Sequence, residues 1–296
     1  MIASLFVIAF ASVNSRPDTT LRLPRNGAIE IETHARAIVV RIGATDQVTV
    51  KGGDAELEGG TLQVSADERH RANNRDANGP LEVTVPAWSR LDVSSMLGNL
   101  TFTGTPAQLH AETVNGFIHV TGGTGTVELE SVAGAVVVND FHGTHLAIDA
   151  TGDNVTITNA TGVVEVENVN GSILMRAMRS AAVTANTING SVEFAGSLAP
   201  TGNYEFSSQN QDVTLTLAAD VSARMMVSSM NGGLKTEIPA ATDSRGRQRG
   251  DRGDRKRKDE GDEHDFVVVY GAGAARVSID VFNGNAIVKK QVGERQ

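Results

Sequence analysis

Cysteine is absent from the chain. That excludes disulfides, thiolate metal sites and a lipid anchor on cysteine, and it fits an exported bacterial protein held together by hydrogen bonds and packing. Aromatic residues are scarce: 1 Trp, 2 Tyr and 9 Phe stand against 31 Gly in 296 residues, the composition of a β-rich, turn-rich chain long enough for one elongated domain or two compact ones. An excess of positive charge is missing as well. The formal net charge is −9, which excludes nucleic acid as a partner, because phosphate binding needs a basic footprint. Long hydrophobic runs are also missing. The one apolar stretch, Met1-Ile-Ala-Ser-Leu-Phe-Val-Ile-Ala-Phe-Ala11, is too short to cross a bilayer as a helix, and no later segment is a candidate transmembrane span.

That stretch has the length of a signal-peptide apolar region, and Ala9-Phe-Ala11 matches a small-x-small cleavage pattern. A basic start is lacking. Two readings stay open: a signal peptide over residues 1–15 without its basic beginning, or a buried N-terminal strand or helix. The first implies export to the periplasm, the outer surface or the medium.

Recognisable catalytic chemistry is lacking too. There is no nucleophile elbow, phosphate loop or Rossmann glycine pattern. The segment Gly122-Gly-Thr-Gly-Thr-Val-Glu-Leu-Glu130 echoes a calcium-binding nonapeptide, but Thr126 and Val127 follow Gly125 where the motif needs an aspartate, and it does not recur. His142 and His145 are three residues apart in a turn region with no third ligand implied. The expectation is therefore no catalytic residue, no cofactor and no metal site: not an enzyme.

What the chain has is a repeat. Glu112-Thr-Val-Asn-Gly-Phe-Ile-His-Val120, Glu167-Asn-Val-Asn-Gly-Ser-Ile-Leu-Met175, Asn186-Thr-Ile-Asn-Gly-Ser-Val-Glu-Phe194 and Asp280-Val-Phe-Asn-Gly-Asn-Ala-Ile-Val288 are clear copies of strand, Asn-Gly turn and strand. With the turn as marker, nine copies centre on Gly98, Gly116, Gly134, Asp153, Gly171, Gly190, Gln211, Gly232 and Gly284, at steps of 18, 18, 19, 18, 19, 21, 21 and 52 residues. A fixed period of this kind marks a stacked array.

Columns read from the marker are nearly all apolar. Five residues before it stand Val93, Ala111, Leu129 and their equivalents, and seven before stand Leu91, Leu109 and Val127. Two after it stand Leu100, Ile118 and Val136, and four after stand Phe102, Val120 and Val138. Intervening positions are polar, so each strand has one dry and one wet face. Nine hairpins would give an open sheet of eighteen strands with a bare apolar face, far beyond the usual limit of about ten strands. A parallel β-solenoid with two facing sheets resolves this, with about nine coils of 18–21 residues whose dry faces meet inside and support one another only when stacked.

The turn column carries Asn115, Asn170, Asn189, Asn210, Asn231 and Asn283, followed by Gly116, Gly171, Gly190, Gly232 and Gly284 where the pair is Asn-Gly. Stacked amides can hydrogen-bond along such a column, and Asn-Gly suits positive φ at each corner. Both roles are structural. On the wet face, Asp92, Glu112, Glu128, Glu130, Asp149, Glu165, Glu167 and Asp280 form an acidic stripe. It reads as a solubilising face, with weak divalent-cation binding as the alternative.

Residues 21–90 form a less regular N-terminal β region, with strands expected at 28–31, 37–42, 47–50, 62–64 and 81–85 and a polar loop at 67–79. The array proper covers 91–290. It is interrupted at 243–265 by eight basic and eight acidic residues with nothing apolar, expected to be a disordered loop. Its two Arg-Gly-Asp tripeptides arise readily in such a tract. Its basic block, 252–258, could touch an anionic surface. The apolar strand after it, 266–270, is expected to pair near 234–238.

The segments Val83-Thr-Val-Pro-Ala-Trp-Ser-Arg-Leu-Asp-Val93, Thr113-Val-Asn-Gly-Phe-Ile-His-Val-Thr-Gly122 and Tyr270-Gly-Ala-Gly-Ala-Ala-Arg-Val-Ser-Ile-Asp-Val-Phe-Asn-Gly284 resemble the DUF4097 family of bacterial β-strand-repeat proteins, candidate adhesins. The resemblance covers about residues 25–290. It implies an exported β-helical envelope protein without established catalysis and offers no catalytic residues. The expected role is a non-enzymatic binding or structural module meeting an unknown envelope or surface ligand, such as a glycan or an anionic polymer. The rivals are a carbohydrate-active β-helix enzyme and a self-assembling envelope scaffold.

Overall fold

β-Branched residues alternating with polar ones give strands with one apolar face. In a computed structural model of the chain these strands build two sheets, one of 13 strands and one of 14. The structure describes residues 19–25, 27–66, 79–240, 242–245 and 264–291. Among them there is no helix long and apolar enough to cross a membrane.

Each coil contributes one strand to the 14-stranded sheet, turns at the marker, and contributes a second strand to the 13-stranded sheet. Neighbouring coils pair in parallel and in register: Leu91 lies beside Leu109, then Val127, Leu146, Val164, Val183 and Tyr204. The fold is the two-sheet parallel β-solenoid that the repeat implies. Every residue five or seven places before a marker is buried between the sheets. So is every residue two or four places after it, except Leu234 and Thr236 on the three-residue edge strand of the 13-stranded sheet.

Stacking order departs from sequence order at both ends. The last coil in sequence, Ala275–Val281 with Ala286–Lys290, inserts between the coil of Asn203–Ser208 and Val213–Leu217 and the coil of Ala223–Ser229 and Leu234–Thr236. At the other end, Ala28–Thr33 and Ile38–Gly43 stack on Arg90–Ser95 and Leu100–Thr103. Thr61–Ser65 and Leu81–Pro86 then form a coil outside them.

Strands running the opposite way cap both sheets at one end and the 14-stranded sheet at the other, where the 13-stranded sheet ends on the parallel strand Leu234–Thr236. Asp54–Glu58 pairs with Thr61–Ser65, and Gln47–Lys51 joins Leu81–Pro86 to Thr19–Arg22. His264–Tyr270 pairs with Ala223–Ser229 and with Thr242–Arg245. A parallel stack ends in a row of unpaired backbone groups that invites further strands. A reversed strand satisfies that row without offering the next coil its register.

These ends correct two expectations. The strand containing 266–270 pairs with 223–229, not with 234–238, because its inward residues Val268 and Tyr270 fit the dry face of the 14-stranded sheet. The charged insertion is not loop throughout: Thr242–Arg245 and His264–Tyr270 form an antiparallel hairpin that includes both its ends. Residues 246–263, with the Arg-Gly-Asp tripeptides and the basic block, lie outside the described residues, as do 1–15 and 67–78.

Corner chemistry is a third correction. Positive φ is found not at the Asn-Gly pairs but at the opposite corner, where Gly104, Gly122, Asp140, Asn159 and Ala177 follow in consecutive coils with φ of 76°, 72°, 57°, 56° and 52°; at the marker corner Gly134, which follows Ala133, has a φ of 157°. None of Gly98, Gly116, Gly171, Gly190, Gly232 and Gly284 has a positive φ. These glycines answer to close approach. A Cβ on Gly190 would collide with the carbonyl of Gly171, one on Gly116 with that of Gly98, and one on Gly284 with that of Gln211.

Candidate binding groove

At the marker corner the strand alternation breaks, and this positions a groove. In Gln108–Asn115 the burial runs inward at Leu109, Ala111 and Thr113, and then both Val114 and Asn115 face out. Repeated in each coil, the pattern stacks three distinct columns along the solenoid.

The inner column, three residues before the marker, is polar although buried: Thr33, Ser95, Thr113, Ser131, Asn168, Thr187, Ser208 and Ser229. A buried hydroxyl or amide needs partners, and the corner supplies them on both sides. Thr187 Oγ1 donates to the Gly171 carbonyl at 3.1 Å and accepts from Gly190 N–H at 3.2 Å. Ser208 Oγ does the same with the Gly190 carbonyl at 2.8 Å and Gln211 N–H at 3.2 Å. Asn168 bridges the Asp153 carbonyl and Gly171 N–H at 2.8 and 3.2 Å. Thr113, Asn168, Thr187 and Ser208 thereby tie their corners to the one before, whereas Ser131 Oγ donates within its own corner, to the Gly134 carbonyl at 2.8 Å. This column was legible as Ser, Thr or Asn in seven of nine repeats, but a search for apolar columns passes over it.

The next column is exposed yet apolar: Met96, Val114, Val132, Val169, Ile188 and Phe282 are 37–52 % exposed, with Thr151 and Gln209 interrupting the row. It forms a ridge along one corner of the solenoid. One residue to the other side of the inner column, on the outer face of the 14-stranded sheet, stand Glu112, Glu130, Asp149 and Glu167 in adjacent ladder positions. Between carboxylate wall and apolar ridge runs a groove. One stretch of about 520 Å³ reaches from Glu32 and His34 to Glu130 and Val132, and a second of about 420 Å³ continues from Glu130 and Val132 to Ile188 and Gln209. No Lys or Arg is found among the described residues lining either stretch.

The acidic wall is crowded. Burial, then Glu167 and Glu128, push the Asp149 carboxyl above its ordinary value. Farther along the sheet, burial followed by Glu205 and Asp265 raises Asp280 in the same way. Like charges one ladder step apart disfavour joint ionisation. Beside the groove, His110 Nδ1 is covered and lies 3.5 Å from Glu128 Oε2 without hydrogen-bond geometry. Donor atoms of His110, Glu128 and Glu130 come within 4.8 Å of one another, the one such group of three among the described residues. His142 and His145 do not join it: His145 lies 3.9 Å from Glu165.

The outermost column holds the asparagines. Their amides hydrogen-bond from coil to coil: Asn189 to Asn170 at 2.9 Å, Asn210 to Asn189 at 2.8 Å, Asn283 to Asn210 at 3.0 Å and Asn231 to Asn283 at 2.8 Å. The chain follows spatial order, with Asn283 before Asn231. Asn170 ends it by donating to the Thr151 carbonyl at 3.0 Å. Asn115 stands between Leu97 and Ala133, whose side chains offer no amide. Gly116, Gly171, Gly190, Gly232 and Gly284 follow at the close-approach positions described above.

Comparison with known proteins gives one family match. The family model Toastrack DUF4097 matches residues 26–259. No curated protein matches the chain. Among solved structures, a "putative lipid binding protein" from Parabacteroides distasonis ATCC 8503 is similar at 8 % identity and a TM-score of 0.47, over 92 % of this chain and 95 % of that one. A "putative cell adhesion protein" from Clostridium sporogenes ATCC 15579 is similar at 8 % identity and a TM-score of 0.18, over 93 % of this chain and 100 % of that one. At such values neither says anything about the groove.

Proposed function

Since the chain belongs to the DUF4097 family, we propose that it is a non-enzymatic binding module working outside the cytoplasm, and that its binding surface is the groove on the 14-stranded sheet. One observation carries this reading: the groove keeps an acidic wall over four consecutive coils, Glu112, Glu130, Asp149 and Glu167, and faces it with the exposed apolar Val114, Val132 and Val169, with Thr151 the one polar break in that row. A uniform open channel suits an extended chain molecule held by many equivalent contacts, whereas small-molecule sites are concave and enclosed. The apolar residues 1–11 and the lack of cysteine support export. An anionic polymer does not suit this wall; within the chain, only the basic block outside the described residues favours one.

The test uses labelled protein on bacterial cells and isolated envelopes. Val132→Arg with Val169→Arg places two long side chains in the groove at exposed positions. Attachment is expected to fall at least tenfold with the melting temperature unchanged. Attachment equal to that of the parent protein would refute the groove as the binding surface.

A further inference from the structure

The chemistry of the two walls narrows the class of chain the groove can hold. Glu112, Glu130, Asp149 and Glu167 stand in four consecutive ladder positions. The described groove lining contains no Lys or Arg to offset them, so the complementary ligand carries positive charge. Opposite them, Met96, Val114, Val132, Val169 and Ile188 offer exposed apolar surface, so the same ligand carries apolar groups between its charges. A bare polyamine meets only the first condition.

Backbone chemistry narrows it further. The groove lies on a sheet face, where the strands beneath already pair with neighbours on both sides. A peptide here gains no ladder hydrogen bonds, unlike one added to a sheet edge. Polyproline II suits such a place, because its backbone makes no internal hydrogen bonds and stays solvated.

The spacings agree. Strands repeat every ~4.8 Å across a sheet, so alternate coils lie ~9.6 Å apart. Polyproline II advances ~9.3 Å per three-residue turn, and a residue at every third position returns to the same face. An extended β-strand repeats its face every ~6.6–6.8 Å and falls out of step with the coils at once. From Glu112 to Glu167 the wall carries a carboxylate in every coil, so a cation at every second coil meets Glu112 and Asp149 or, one coil along, Glu130 and Glu167; Glu32 lies two coils before Glu112, with Ser94 between. The Asp149 carboxyl, raised first by burial and then by the Glu167 and Glu128 charges, fits the same picture.

We propose that the groove binds a cationic peptide segment in polyproline II conformation, with Lys or Arg at every third residue facing the carboxylate column and apolar residues against the corner ridge. This rests on the groove being the binding surface and adds the ligand class.

The experiment titrates the full chain into a fluorescent, end-blocked peptide of five Pro-Leu-Lys repeats and follows anisotropy. Controls are a peptide of the same composition with its lysines at irregular spacing, and competition by spermine. Two variants are compared, both checked for an unchanged circular dichroism spectrum: Glu130→Gln with Asp149→Asn and Glu167→Gln, and Val132→Ser with Val169→Ser. The expected result is saturable binding of the regular peptide, at least tenfold weaker binding of the irregular one, loss of binding in the amide variant and weakening in the serine variant. Equal binding of the two peptides would overturn the register. Displacement by spermine at matched charge, or binding unaffected by the amide substitutions, would overturn the proposal as a whole. If the peptide fails while envelope attachment still depends on Val132 and Val169, the ligand class falls and the groove stands. If attachment is also indifferent to those residues, both fall.

Discussion

Gly190 separates two explanations of the Asn-Gly corner. If its glycine served positive φ, Gly190→Ala would cost about 1–2 kcal/mol and Gly190→Asn, which tolerates the left-handed region, much less. Gly190 has no positive φ. A Cβ there instead meets the carbonyl oxygen and carbon of Gly171 and the amide nitrogen of Ser172. These are backbone atoms locked in the adjacent corner, where the Gly171 carbonyl also accepts from Thr187 Oγ1 at 3.1 Å. Relief requires parting two coils, so the cost is at the upper end of overpacking, about 3 kcal/mol. Asparagine should be no better than alanine. A domain of this size shifts its melting temperature by about 2–4 °C per kcal/mol, so a fall of about 6–12 °C is expected. Gly233→Ala is the matched control: a Cβ there meets nothing within 4 Å, so its melting temperature should hold or rise slightly. Thermal melts by circular dichroism and calorimetry supply both readings. Equal losses at Gly190 and Gly233, or rescue of Gly190 by asparagine, would refute close approach as the reason for glycine.

At the opposite corner Ala177 holds a φ of 52° at an exposed position, so Ala177→Gly should stabilise by about 1 kcal/mol in urea unfolding; a loss would contradict the left-handed assignment. Leu129 is fully buried beside Ala111 and Ile148, and Leu129→Asp should prevent folding or cost more than about 4 kcal/mol. Glu130→Ala, one residue along and facing out, should change stability by less than about 0.5 kcal/mol; similar losses in the two would overturn the inside-outside assignment. The raised Asp149 carboxyl makes the native state bind more protons than the unfolded chain above the ordinary value of 3.8. Its contribution therefore declines as pH rises from there through the raised native value. Asp149→Asn should gain stability over the parent on the high side of that window and lose the gain below it, as read by urea midpoints across pH; a pH-independent difference would show that crowding with Glu167 and Glu128 is not the cause.

The sequence by itself determined the coil. A period of 18–21 residues with apolar residues at fixed offsets leaves few ways to bury them, and the result is nine stacked coils with two facing sheets, which the N-terminal region extends by two more. It also contained the buried corner column, since Ser, Thr or Asn at positions such as Thr113, Ser131 and Thr187 is a periodic signal as regular as the leucines and valines. The order of the coils was decided only in three dimensions. Nothing local tells Ala275–Val281 to stack between Asn203–Ser208 and Ala223–Ser229, because coils that share one register are interchangeable to their neighbours and the choice rests on how the ends are closed. The glycine's role was likewise hidden, since Asn-Gly writes a left-handed turn and a close backbone approach with the same letters. The groove, finally, needed the corner. Strand alternation places Val114 and Glu112 on the same face, but only the break after Thr113 raises one column into a ridge and leaves the other as the facing wall.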